Sequence, residues 1–140
     1  MTDLSKGIIE IDGIEINAET TPEKIKKIMP QKIIDNVYAQ NGTAQGIFFN
    51  DEEILGKMFD SYLFFYRGQL KSIELHCSEE KTDKEQFKAD CEWLKNILGE
   101  PTVVQENLVI WKLSFGQISV TNFNGRRKNG HQEFVNISYN

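Results

Sequence analysis

The chain has 140 residues, of which 39% are hydrophobic, 11% aromatic and 26% charged, a composition inside the globular range and outside the disordered one. That length gives a single domain, residues 1–140, with enough chain to bury its own core. A formal net charge of −5 repels phosphate backbones at long range, so no nucleic acid partner is expected and a basic protein partner is.

From the N-terminus, MTDLSKGIIEIDG has no basic leader followed by an apolar stretch. Nowhere do about 18 apolar residues run together, so a cytoplasmic protein without a membrane span is expected. Residues 7–17, GIIEIDGIEIN, alternate apolar and polar around Asp12-Gly13, the signature of two short strands joined by a tight turn. TTPEKIKKIMP then gives a short helix, capped by Thr20 or Thr21, with Pro22 in its first turn. Glu23 favours its positive end, Ile25, Ile28 and Met29 share one face, and Pro30 stops it. KIIDNVYAQNGTAQGIFFN reads as a second hairpin around Asn41-Gly42.

Residues 53–77 carry the strongest β signal, read as three antiparallel strands, EILGKMF, SYLFFY and QLKSIELHC, with a turn at Arg67-Gly68. From Thr82 to Leu98 the period changes: Phe87, Cys91, Leu94 and Leu98 fall at helical spacing, with Lys84, Lys88 and Lys95 outside. Thr82 and Glu85 form a T-x-x-E capping box, while Gly99 and Pro101 supply the stop. TVVQE, LVIWKLSF, QISVTNF and EFVNISY return to β pattern, joined at Asn107, Gly116 and the loop TNFNGRRKNGHQ. The expected architecture is α+β, a curved antiparallel β-sheet packed on two helices, in which a helix-then-strands order occurs twice.

Little in this pattern asks for chemistry. His76 beside Cys77 is the one conceivable nucleophile pair, but neighbours on a strand point to opposite faces. No histidine or cysteine spacing suits zinc, Asp51-Glu52-Glu53 lacks the ligand pattern of a calcium loop, and no glycine opens a helix as a phosphate cradle. The chain is therefore read as a non-enzyme with no cofactor and no metal, and its two cysteines as apolar packing.

Charge is the surplus information. Residues 1–120 hold 20 acidic and 13 basic side chains, whereas 121–140 hold one and three. Arg126, Arg127 and Lys128, with Phe123 and His131 beside them, suit carboxylate or phosphate recognition and stacking, although a solvated hairpin tip explains the same loop. Glu79, Glu80, Asp90 and Glu92 exceed what the helix dipole requires and make a candidate acidic face, with Trp93 as an aromatic anchor.

The run LFFYRGQLKSIELH, followed by WLKNILGEPT, LVIWKLSFGQISV and VNISY, resembles small, uncharacterised bacterial α+β proteins. Its order of helix end, aromatic strand, glycine turn and closing strand is similar to the fold shared by β-lactamase inhibitor proteins and the small outer-membrane assembly lipoprotein. The resemblance covers residues 20–140 and implies binding of other proteins through an exposed sheet face or loops; no functional residue transfers. In its small, acidic, motif-poor character the chain also resembles immunity proteins encoded beside secreted toxins. The leading expectation is an inhibitor or immunity-type domain that masks a basic, toxin-like effector. The alternative is a small-ligand-binding module with an apolar pocket lined by Phe48, Phe64, Tyr66 and Trp111.

Overall fold

The structure, a computed structural model, describes residues 1–36, 43–79, 81–123 and 133–140. A 3-10 turn at Leu4–Lys6 leads into β1 (Ile9–Ile11) and β2 (Ile14–Ile16), which among the described residues pair only with each other. Then come α1 (Pro22–Ile28) and four strands: β3 (Asp35–Asn36), β4 (Ala44–Ile54), β5 (Lys57–Tyr66) and β6 (Gln69–Cys77). The pattern repeats as α2 (Asp83–Leu98) and β7 (Val103–Gln105), β8 (Leu108–Leu113), β9 (Gly116–Asn122) and β10 (Glu133–Tyr139). The fold is α+β, and its main sheet has eight antiparallel strands in the order β3-β4-β5-β6-β10-β9-β8-β7. Two meanders thus meet at their last strands, β6 against β10, with Leu75 opposite Val135 and Ile73 opposite Ile137.

Among the described residues three hairpins close through an X-Gly pair in which both residues have positive φ: Asp12-Gly13 at 51° and 77°, Leu55-Gly56 at 46° and 81°, and Arg67-Gly68 at 51° and 78°. Such turns match the right-handed twist of the strands they join. The middle one corrects the sequence reading, since EILGKMF is not one strand but the end of β4, a turn and the start of β5. Leucine disfavours this backbone. Register decides the matter, because Ile54 and Lys57 must both point inward, and the Trp93 indole N–H on α2 donates to the Leu55 carbonyl at 3.2 Å. Around Asn41-Gly42, Asp35 pairs with Gly46 and Asn36 with Gln45, while residues 37–42 lie outside the described residues.

Alternation gives the main sheet two unlike faces. Ile47, Phe49, Phe59, Leu63, Phe65, Ile73, Leu75, Trp111, Ile118, Val120, Val135 and Ile137 are buried in one cluster with Ile25 of α1, Leu94 of α2 and the isoleucines of β1 and β2. The α1 cap is Thr21, whose hydroxyl accepts from the Lys24 N–H, and Pro22 is the first helical residue. The expected apolar face of α1 is corrected: Ile28 is 62% exposed, because a seven-residue helix meets the core through Ile25, with Met29 packed at its end. On α2 the capping box is present as expected, Thr82 Oγ1 accepting from the Glu85 N–H while the Glu85 carboxylate accepts from the Thr82 N–H. Its fully buried positions are Gln86, Asp90 and Leu94, with Phe87, Cys91, Trp93 and Leu98 packed at the margin.

Candidate functional site

Of the residues singled out from sequence, those described stand in different surroundings. Arg126, Arg127, Lys128, His131 and Glu80 lie outside the described residues. Glu79 is exposed in an ion pair with Lys81 at 2.9 Å, just before α2, and that pair holds its carboxyl below the usual range. Glu92 is exposed on α2. Trp93 is half-buried, its ring against Phe59 with centroids 5.2 Å apart, so its packing and its bond to Leu55 already account for it. Asp90 is 0% exposed and belongs to no surface.

Instead Asp90 anchors a buried polar cluster between α2 and the sheet. Lys57, the first residue of β5, makes an ion pair with Asp90 Oδ1, and Gln86 Nε2 donates to the same oxygen at 2.9 Å. Gln86 and Asp90 are one helical turn apart, which puts both on the core side. Glu133, at the start of β10, is 4% exposed, and burial together with the adjacent Asp90 carboxylate pushes its carboxyl up to about 10. Asp90 Oδ2 and Glu133 Oε2 have no donor among the described residues unless a carboxyl carries a proton, and Glu133 is the group that carries it. The cluster therefore sets a carboxyl that burial holds towards its neutral form beside the Lys57–Asp90 ion pair. Sequence pattern gave no signal for it: Asp90 read as part of an acidic face, and neither Gln86 nor Lys57, inside EILGKMF, stood out.

A second carboxyl pair joins the β1–β2 turn to β4. Glu52 is buried beside the register shift after Phe49, and desolvation and the hydrogen-bonded Asp12 carboxyl push it up to about 7. Lys32 opposes that rise, and its ammonium also donates to the Phe48 carbonyl at 2.8 Å and lies 4.1 Å over the Phe49 ring.

The other face of the sheet carries aromatics. Phe48, Tyr62, Phe64 and Tyr66 alternate with the core residues of β4 and β5; Phe48 is 43% and Tyr66 41% exposed, and the Phe48 and Tyr62 rings are 6.4 Å apart. Gly46 lies directly opposite Phe64, and a Cβ there would come within 1.9 Å of the Tyr62 hydroxyl, so the absent side chain is what lets the Tyr62 ring lie across β4. Towards β9 the same face holds His76 stacked on Phe134 at 5.4 Å, and Phe134 on exposed Phe123 at 5.9 Å. Glu74, opposite Tyr62, and Asp60, opposite His76, stand between and beside these groups.

This geometry separates the remaining candidates. Cys77 packs at the margin of the core while His76 stands on the aromatic face, so the pair does not meet. Burial pushes the Cys77 thiol up, and burial with the carboxylate of Asp90 pushes Cys91 up to about 12. Phe48, Phe64 and Tyr66 do not share a pocket with Trp111, which is buried on the opposite face with its indole N–H donating to the Gly99 carbonyl at 2.9 Å. Among the described residues no group of three His, Cys, Asp or Glu side chains is placed to hold a metal ion, and no helix is long and apolar enough to cross a membrane. The chain matches no protein-family model, no curated protein and no solved structure.

Proposed function

We propose that the protein is a non-enzymatic binding domain that masks a basic partner protein, as an inhibitor or immunity-type partner of a cationic effector in the bacterial cytoplasm. The observation that carries this reading is the aromatic sheet face, where Phe48 and Tyr66 stay exposed although Ile47, Phe49, Leu63 and Phe65 on the opposite face of the same strands are buried. Single exposed apolar residues need no explanation; a cross-strand group of aromatic rings with carboxylates beside it fits a protein contact, in which aromatic rings supply area and acidic groups supply attraction. The sheet on this reading curves about its two helices and presents its free face. Glu74 and Asp60, on a chain of net charge −5, favour a partner rich in Arg and Lys. Arg126 to Lys128, which follow Phe123 in the chain, would supply contacts to the partner's carboxylates.

A tagged wild-type protein and a Phe48→Glu/Tyr66→Glu variant, expressed side by side in the source cells, test this. The wild type is expected to retain a basic protein, encoded beside it, whose binding weakens as salt rises from about 0.1 M to about 0.5 M. The variant, altered only at exposed positions, is expected to stay folded and lose it. A partner that is acidic, or is retained equally by the variant, refutes the proposal.

A further inference from the structure

A groove on the far side of the molecule from the aromatic face joins three features that have no structural need of one another. β7 ends the sheet, pairing only with β8 among the described residues, so one side of its backbone has no strand partner. Beside it, between α2 and β7, opens a groove of about 230 Å³ with an apolar floor of Phe87, Cys91, Pro101, Val104 and Val109. Val104 is 69% exposed, opposite Val109, on the side of the sheet that faces α2. The rim carries Lys88, Glu92 and Lys95, none of them in an ion pair among the described residues, so its net charge is positive on a chain that is otherwise negative.

A three-residue edge strand alone is an ordinary blunt end to a sheet. An apolar groove and a positive rim directly beneath it are not needed for that purpose. A strand laid against β7 would satisfy its outward N–H and C=O groups, and because side chains alternate, every second residue would drop into the groove beneath α2. We propose that β7 and α2 form a peptide-binding groove for an extended segment that presents an aliphatic side chain to the floor and a carboxylate, from Asp, Glu or a chain end, to Lys88 and Lys95. The volume admits one or two aliphatic side chains and no folded element, so affinity comes from strand pairing and specificity from that side chain and its acidic neighbour. This site is independent of the aromatic face, and its occupant has the opposite charge preference.

The test is a phage library of random nonapeptides selected on the whole protein and counter-selected on Val104→Asp, which places a carboxylate at the exposed edge. The expected outcome is enrichment of sequences combining Val, Ile or Leu with Asp or Glu. Binding of a synthetic representative should weaken at least tenfold in Val104→Asp and in Lys88→Glu/Lys95→Glu, and its amide shift changes should be confined to residues 87–95 and 101–109. Circular dichroism of both variants, whose substituted residues are all exposed, should match the wild type. Failure of any sequence to enrich, enrichment of basic sequences, or unchanged binding by the variants overturns the proposal. So does a wild-type dimer that Val104→Asp dissolves, which would make a second copy of the chain the occupant.

Discussion

Replacing Glu133 by Gln tests the buried cluster where its energetics are most exposed. In the folded chain burial and Asp90 push the Glu133 carboxyl from 4.5 up to about 10, so it is protonated at neutral pH, whereas in the unfolded chain it ionises near its ordinary value. For a carboxyl whose folded value is raised, the folded state holds a proton that the unfolded chain releases. Stability is then fullest below about 4.5 and falls as pH climbs towards about 10. One proton corresponds to about 1.4 kcal/mol per pH unit. Glu52, raised to about 7, adds a slope of the same sign at lower pH, and the raised Cys77 and Cys91 thiols add one as pH nears 9, so Glu133 is read from the difference in slope between wild type and variant from about pH 7.5 to about pH 8.5. There the wild type is expected to lose about 1.4 kcal/mol more than Glu133→Gln. The amide is neutral at every pH and can donate to Asp90 in place of the acid proton, so the variant should also be more stable at about pH 7.5, by up to about 4 kcal/mol. Urea unfolding followed by tryptophan fluorescence at a series of pH values reads both quantities. The same slope in both proteins, or a variant less stable than the wild type at about pH 8.5, refutes a protonated Glu133.

Glu52→Gln should flatten the stability profile between about pH 5 and pH 7 while leaving the slope above about pH 7.5 intact, measured by the same unfolding series. Gly46→Ala should cost about 1–3 kcal/mol by driving Tyr62 off β4, and Tyr62→Thr should recover most of that loss, so a double-mutant cycle must give a coupling well above zero. Tyr139→Phe removes the hydroxyl that donates to the Gly7 carbonyl at 2.7 Å and should lower stability by about 1–2 kcal/mol in urea. Cys91 should react with iodoacetamide at about pH 8 at least about tenfold more slowly in the folded protein than in guanidinium chloride, by mass spectrometry; equal rates would contradict its raised thiol.

Much of the fold was legible because it rests on local chemistry. Asp12-Gly13 is a residue pair that accepts positive φ cheaply, Gly68 marks its turn between two strongly alternating strands, and Thr82 with Glu85 satisfies a helix start whatever packs around it. Leu55-Gly56 was missed because leucine hides its turn, and Ile28 was misplaced because periodicity marks a face without saying how much core is there to receive it. The aromatic face was half legible: alternation sorts Phe48 and Tyr66 from Phe49 and Phe65, but not which set the helices cover.

From the sequence alone came the α+β class, most element positions and the uneven distribution of charge. Only the tertiary structure decided that Asp90 belongs with Lys57 and Glu133 in the interior, and that β7 is left at an edge over an apolar groove. The reason is range: turns, caps and alternation are set by neighbours within a few residues, whereas the charge state of a carboxyl and the exposure of an edge depend on what distant strands bring alongside.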